Sequence, residues 1–180
     1  MLSHFMIILG IETTCDETGA AVLRSDPSAG SASPSTMSSG PNGSPQANSG
    51  QVQILSNILA SSAPLQAKYG GIIPEQAARE QIKSIIPVID ETLRQAQCKP
   101  KGLDAIVVAY GPGLIGSLLV GVETAKVLAT IWKKPLIPVN HLLGHFYANW
   151  IEASPPNFPC IGLLVSGGHT DLVLFKAHGK

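Results

Sequence analysis

Apolar and polar positions alternate in blocks that spell out a mixed α/β chain. Phe5 to Glu12 is a continuous apolar run that closes on Glu12-Thr13-Thr14, as a central strand running into a polar turn does. Asp16-Glu17-Thr18-Gly19 reads as the turn itself. Ala20 to Leu23 returns as a second strand, giving a hairpin with acids and hydroxyls at its tip. A third strand is expected over Gln51 to Ala60. The punctuation Tyr69-Gly70-Gly71-Ile72-Ile73-Pro74-Glu75 then places Pro74 at a first helical position, with Glu75 at the positive helix start. The helix that follows is expected to bury Ala78, Ile82, Ile85, Ile86, Ile89 and Leu93 on one stripe and to kink or break at Pro87.

Leu103 to Tyr110 is a buried strand by the same reading, and Gly111-Pro112-Gly113-Leu114-Ile115-Gly116-Ser117 leads into a long helix ending near Trp132. A short strand, Leu136 to Val139, flanked by Pro135 and Pro138, delivers a second helix that begins at His141. Asn149 to Phe158, rich in proline, is a connector. Cys160 to Val165 and Thr170 to Phe175 are strands on either side of the turn Ser166-Gly167-Gly168-His169. This last hairpin echoes the first, which is the pattern of a duplicated nucleotide-binding architecture.

Composition changes this picture in three places. Residues 25–50 are almost entirely Ser, Gly, Pro, Ala and Asn, too poor in apolar surface to offset the entropy of ordering, and are expected to be a disordered insert. With 180 residues and a formal charge of zero, the chain suits one sizeable domain or one domain and the start of another, and shows no basic excess that would by itself bind nucleic acid. Lys133-Lys134 and the Lys99/Lys101 pair are the local basic patches, each as readily a solvated helix end or loop. Cys15, Cys98 and Cys160 form no Cys-x-x-Cys pair, which speaks for a reducing compartment. The apolar run at residues 6–11 is too short to span a bilayer, so a cytoplasmic protein without membrane association is the expectation.

Chemistry concentrates in Asn140-His141-Leu142-Leu143-Gly144-His145. Histidines four apart on a helix share a face and can share a metal ion, although such pairs also arise without one. A glutamate beside the first histidine would mark a zinc protease, but that position is Leu142. The glycine turn at 111–117 either turns backbone amides toward an anion or merely lets helix and sheet pack closely. Ser166-Gly167-Gly168 has the same capacity to present amides to a phosphate, and His169 adds either a hydrogen bond to a ligand or a turn cap. Glu12, at a strand end facing the presumed cleft, either orients a ligand or caps the turn at 13–18. Asp16 and Glu17 read as surface acids or turn formers.

Gly10-Ile-Glu-Thr-Thr-Cys-Asp-Glu-Thr18, Tyr69-Gly-Gly-Ile-Ile-Pro-Glu75, Gly111-Pro-Gly-Leu-Ile-Gly116, Asn140-His-Leu-Leu-Gly-His145 and Leu164-Val-Ser-Gly-Gly-His-Thr170 together resemble the tRNA threonylcarbamoyladenosine synthesis transferases (TsaD, once labelled O-sialoglycoprotein endopeptidases). The resemblance implies an actin-like, sugar-kinase-like and Hsp70-like (ASKHA) α/β fold. On that basis residues 1–150 are expected to be the first actin-like domain, and residues 151–180 the connector and opening hairpin of a second. It implies transfer of threonylcarbamoyl from threonylcarbamoyl-AMP to N6 of adenosine 37 in tRNAs that read codons beginning with A. Residue by residue, His141 and His145 resemble two ligands of one divalent ion, Fe2+ or else Zn2+. Val165, Ser166, Gly167, Gly168 and His169 resemble the loop that binds the adenylate donor, and Glu12 is the candidate catalytic carboxylate. A TsaB-like paralogue, a TsaE-like ATPase and tRNA are the implied partners.

The family's third metal ligand, an Asp near its C-terminus, has no counterpart here, so the isolated chain is expected to be an inactive fragment. Two other readings compete. A non-catalytic TsaB-like scaffold paralogue would lack the paired histidines and the Ser-Gly-Gly-His turn. A general ATPase or sugar kinase of the fold would carry Asp where Glu12 stands.

Overall fold

The computed structural model describes residues 5–25, 52–151, 156–168, 170–177 and 179. Strand β1 (Met6–Glu12) pairs antiparallel with β2 (Glu17–Ser25), and β2 pairs antiparallel with β3 (Gln53–Ser61). A short helix, α1 (Ala63–Gln66), leads to α2 (Pro74–Gln95). Strand β4 (Ala105–Gly111), helix α3 (Ile115–Trp132), strand β5 (Leu136–Asn140) and helix α4 (His141–Ala148) follow. β4 lies parallel to β1, and β5 parallel to β4, so the sheet order is β3-β2-β1-β4-β5. A separate antiparallel hairpin, β6 (Cys160–Val165) and β7 (Thr170–Phe175), ends the described chain.

The core lies between this five-stranded sheet and two helices. Leu9, Ile11, Ala20, Val22, Ile106 and Val108 of the sheet meet Ile85, Val88, Ile89, Ala125 and Ala129 of α2 and α3. Of the described helices, α3 is long and apolar enough to cross a membrane by length and composition, yet here it packs on β4 and α2. Its buried ridge is Ser117, Gly121, Ala125 and Ala129, small residues one turn apart that let the helix axis approach the sheet closely.

Three sequence expectations are corrected, and of the kink or break expected at Pro87 the break is excluded. Glu17 to Gly19 belong to β2, because Gly19 pairs with Glu12 and Glu17 with Ser61, and the turn shrinks to residues 13–16. The buried stripe of α2 is Ala77, Gln81, Ile85, Val88, Ile89 and Thr92, with Ile82 64% and Ile86 56% exposed. Apolarity alone misplaced that stripe because two of its members are polar side chains with partners across the packing interface: Gln81 Nε2 donates to the carbonyl of Glu17 at 2.8 Å, and Thr92 Oγ1 donates to that of Ala20 at 3.3 Å. Helix α2 runs through Pro87 without a break. Pro138 sits inside β5 rather than beyond it, which an edge strand tolerates since fewer of its amides are needed for pairing. The expected insert lies outside the described residues except for Ser25, the last residue of β2.

Candidate functional site

β1 and β5 end at the same edge of the sheet, and the loops that leave them meet there. From β5, Asn140 caps α4: its Oδ1 accepts from the amides of Leu142 and Leu143 at 2.9 and 3.3 Å. The cap fixes where the first turn starts, and so which way His141 points. From β1, the Glu12 carboxylate does two things at once. Oε1 accepts from the Thr14 amide at 2.6 Å, and Oε2 lies 3.0 Å from His141 Nδ1. Of the two alternatives read from the sequence, turn-capping is met by Oε1, while Oε2 meets the His141 ring.

An ionised carboxylate only accepts, so the Glu12 contact places a hydrogen on His141 Nδ1. Thr14 Oγ1 stands 3.4 Å from the same nitrogen. His141 Nε2 is thereby left as the lone-pair nitrogen, and it faces His145 Nε2 at 3.0 Å with the rings nearly perpendicular, at 80°. Two nitrogens bound at about 2.0–2.1 Å to one ion, with an angle of about 90–110° between them, lie roughly 2.9–3.4 Å apart. The observed separation falls in that interval. A carboxylate on the far nitrogen of a ligating histidine is the usual way such rings are held. The donor set thus fits two ligands of a divalent ion with Glu12 behind one of them. Among the described residues no group of three His, Cys, Asp or Glu side chains could hold a metal, so an ion on this pair would need further ligands from outside that set. The His141 side chain is 21% exposed and that of Glu12 40%, so the pair opens onto solvent rather than into the core.

The turn that carries Glu12 is held by groups the sequence reading did not single out. Gln81 of α2 and Ser117 of α3, both buried, bind its backbone, and Gln66 ties the approach to α2 by accepting from the Ile73 amide at 2.9 Å. Gly113 approaches so closely that an added Cβ would stand 2.5 Å from the Thr14 carbonyl oxygen, and the Leu114 amide donates to that oxygen at 2.8 Å. Close packing therefore accounts for the glycine at position 113. Burial raises the Cys15 thiol pKa, and the neighbouring Asp16 adds to it, which leaves that residue a poor nucleophile.

Val165 ends β6 with its side chain exposed, and Ser166, Gly167 and Gly168 follow as exposed backbone. A Cβ added at Gly167 or Gly168 would meet nothing within 4 Å, so there is room beside that backbone for a ligand. His169 lies outside the described residues. The hairpin joins the site through α4, where Gly162 lies under the Phe146 ring and Phe175 meets that ring edge-on at 5.1 Å. The structure therefore brings Glu12, His141 and His145 into one hydrogen-bonded row and places 165–168 on the hairpin seated against the same helix.

A family model described as tRNA N6-adenosine threonylcarbamoyltransferase matches residues 53–180. Curated relatives of that name are 49% identical in Thermomicrobium roseum, 45% in Symbiobacterium thermophilum and 43% in Dehalococcoides mccartyi, each match covering 97% of this chain. The chain spans 42–46% of their lengths. Among solved structures, YeaZ from Pseudomonas aeruginosa is similar in fold, with a TM-score of 0.50 at 12% identity over 97% of this chain and 69% of that one.

Proposed function

Since this chain belongs to the tRNA N6-adenosine threonylcarbamoyltransferase family, we propose that it forms the half of such an enzyme that carries two metal ligands and the donor loop. The reaction joins N6 of adenosine 37 of a tRNA to the carbamoyl carbon of threonylcarbamoyl-AMP. A C–N bond forms, the bond from that carbon to the phosphate oxygen breaks, AMP leaves with the electron pair, and the amine loses a proton. A divalent ion, Fe2+ or else Zn2+, supplies Lewis-acid polarisation of the carbamoyl carbonyl when bound.

The chain's own residues do the rest of what is assigned here. His141 and His145 offer their Nε2 atoms to the ion, 3.0 Å apart. Glu12 acts as a positioning residue, holding the His141 hydrogen on Nδ1 so that Nε2 stays available. Ser166, Gly167 and Gly168 offer amides to the adenylate phosphate in the open space beside Gly167 and Gly168, with His169 as the closing residue of that loop. The observation that carries the reading is the row Glu12–His141–His145, which neither turn-capping nor helix packing requires. A TsaB-like paralogue is the proposed partner. The apolar side chains that α2 and α3 leave uncovered, Ile82, Ile86, Ile115, Leu119, Val127 and Ile131, are the surface that suits it.

Cobalt titration of this chain, followed by visible absorption, tests the pair directly. The wild type is expected to bind one Co2+ with a ligand-field band. His141→Ala and His145→Ala are each expected to bind at least about tenfold more weakly. Equal binding by all three proteins refutes the metal role.

A further inference from the structure

Each backbone carbonyl from Thr13 to Glu17 accepts from a group remote in sequence. Gln81 Nε2 donates to those of Thr13, Cys15 and Glu17 at 3.4, 3.3 and 2.8 Å. Ser117 Oγ donates to Cys15 O at 2.7 Å, the Leu114 amide to Thr14 O at 2.8 Å, and Ser62 N and Oγ to Asp16 O at 3.1 and 2.8 Å. Thr13 Oγ1 returns a bond to Ser117 O at 2.8 Å. Thr13 and Thr14 are buried and Cys15 and Asp16 half-buried, so these carbonyls need protein partners rather than water. The turn is gripped by α2, by α3 and by the residue ahead of α1.

Gln81 is the unusual member. Its side chain is 99% buried, and its Oε1 has no hydrogen-bond partner among the described residues. Flipping the amide would not relieve that, because it would point an oxygen at three carbonyl oxygens. The fold therefore keeps a buried acceptor unsatisfied in order to set one NH2 group against alternate carbonyls of the turn. An apolar side chain of the same size would remove that orphan but would strip the carbonyls of Thr13 and Glu17 of this donor, so the hold of the NH2 group on the turn is what the arrangement preserves.

We propose that Gln81 is a positioning residue for the histidine pair. By fixing the turn it fixes Glu12 Oε2 and Thr14 Oγ1 against His141 Nδ1, and so selects the tautomer in which His141 Nε2 is a ligand. The chain of contacts is continuous: Gln81 holds the carbonyls at 13, 15 and 17, Glu12 Oε1 is tied to the Thr14 amide, and Glu12 Oε2 faces His141. The inference rests on the metal reading for its consequence, but its geometric content, the His141 tautomer, stands apart from it.

Gln81→Met in this chain keeps the length of the side chain and removes both amide hydrogens. Two readouts decide. Long-range 1H–15N spectra of the metal-free chain report the His141 tautomer, and Co2+ titration reports affinity. The expected result is a loss of the single Nδ1–H tautomer and an affinity at least about fivefold weaker, below the 10–100-fold typical of a direct outer-shell partner. Ile89→Ala, a core change on the same helix, is expected to lower thermal stability while leaving both readouts at the wild-type value. Should Gln81→Met fail to fold, Ser117→Ala, which removes the other side-chain donor to Cys15 O, is measured in its place with the same expectation. An unchanged tautomer and affinity in the folded variant overturns the proposal, as does an equal loss in Ile89→Ala. If wild type and His141→Ala bind Co2+ equally, the metal reading fails, and the tautomer readout still decides the role of Gln81.

Discussion

Gly121→Ala is the sharpest perturbation the structure offers away from the histidines. Gly121 belongs to the small-residue ridge of α3, and a Cβ built there would lie 2.3 Å from Thr13 Oγ1 and 3.3 Å from both Thr13 Cβ and Cγ2. Thr13 and Ser117 are completely buried, so Thr13 cannot swing away without giving up its bond to Ser117 O. The stranded hydroxyl and carbonyl cost about 1–3 kcal/mol. Forcing a methyl into packed space costs about 1–3 kcal/mol more. Alanine's better helix propensity returns about 1 kcal/mol, for a net loss of about 3 kcal/mol. In a domain of this size that corresponds to a melting temperature lowered by about 6–12 °C. Urea melts followed by far-UV circular dichroism measure it. Gly144→Ala is the control: it lies in α4, a Cβ there meets nothing within 4 Å, and it is expected to gain about 0.5–1 kcal/mol. Thr13→Ala in the Gly121→Ala background removes the colliding oxygen, so the double variant should be more stable than the sum of the single losses by at least about 1 kcal/mol. A Gly121→Ala loss below about 1 kcal/mol, or strict additivity, would show that α3 does not press on the turn.

Other outcomes follow from the same geometry. Glu12→Gln keeps the shape but loses the charge facing His141 Nδ1, and Co2+ affinity should fall about 10–100-fold with little change in the urea midpoint. Asn140→Ala removes the acceptor for two α4 amides and should cost about 1 kcal/mol in urea, with weaker metal binding as the first turn frays. Gly162→Ala places a Cβ 2.5 Å from Phe146 Cε1, and the ring must shift, a loss of about 1–3 kcal/mol in the same melts. Burial raises the thiol pKa of Cys15 and of Cys98, so the folded chain holds those protons longer than the unfolded one. Their contribution to stability is present below the ordinary thiol pKa and is lost as pH rises through the raised folded values. Alkylation by iodoacetamide near pH 8.5 should accordingly be slower in the folded chain than in urea.

The order of strands and helices was legible because long apolar runs and glycine or proline punctuation are local signals. Helix α2 starts at Pro74 and β6 runs from Cys160 to Val165, as read from the sequence. The polar ends were not legible. Glu17-Thr18-Gly19 has the composition of a turn and becomes a strand only because Glu12 and Ser61 lie alongside to pair with it. Gln81 and Thr92 occupy the buried face of α2 because carbonyls of the sheet and the turn await them there, and no periodicity of apolar residues reports a remote carbonyl. At the site, the i, i+4 spacing announced the histidine pair. That Glu12 stands behind His141 depends on β1 and β5 ending at one edge, with β4 between them, a fact of topology rather than of spacing.

Helix α4 has only eight residues and works on two sides. One side carries His141 and His145, while Phe146 on the other rests on Gly162 and against Phe175 of the terminal hairpin. Two turns, about 12 Å of rod, are too short to absorb bending between those sides. A displacement of the hairpin would therefore be passed to the imidazoles through α4, whose start is held by the Asn140 cap.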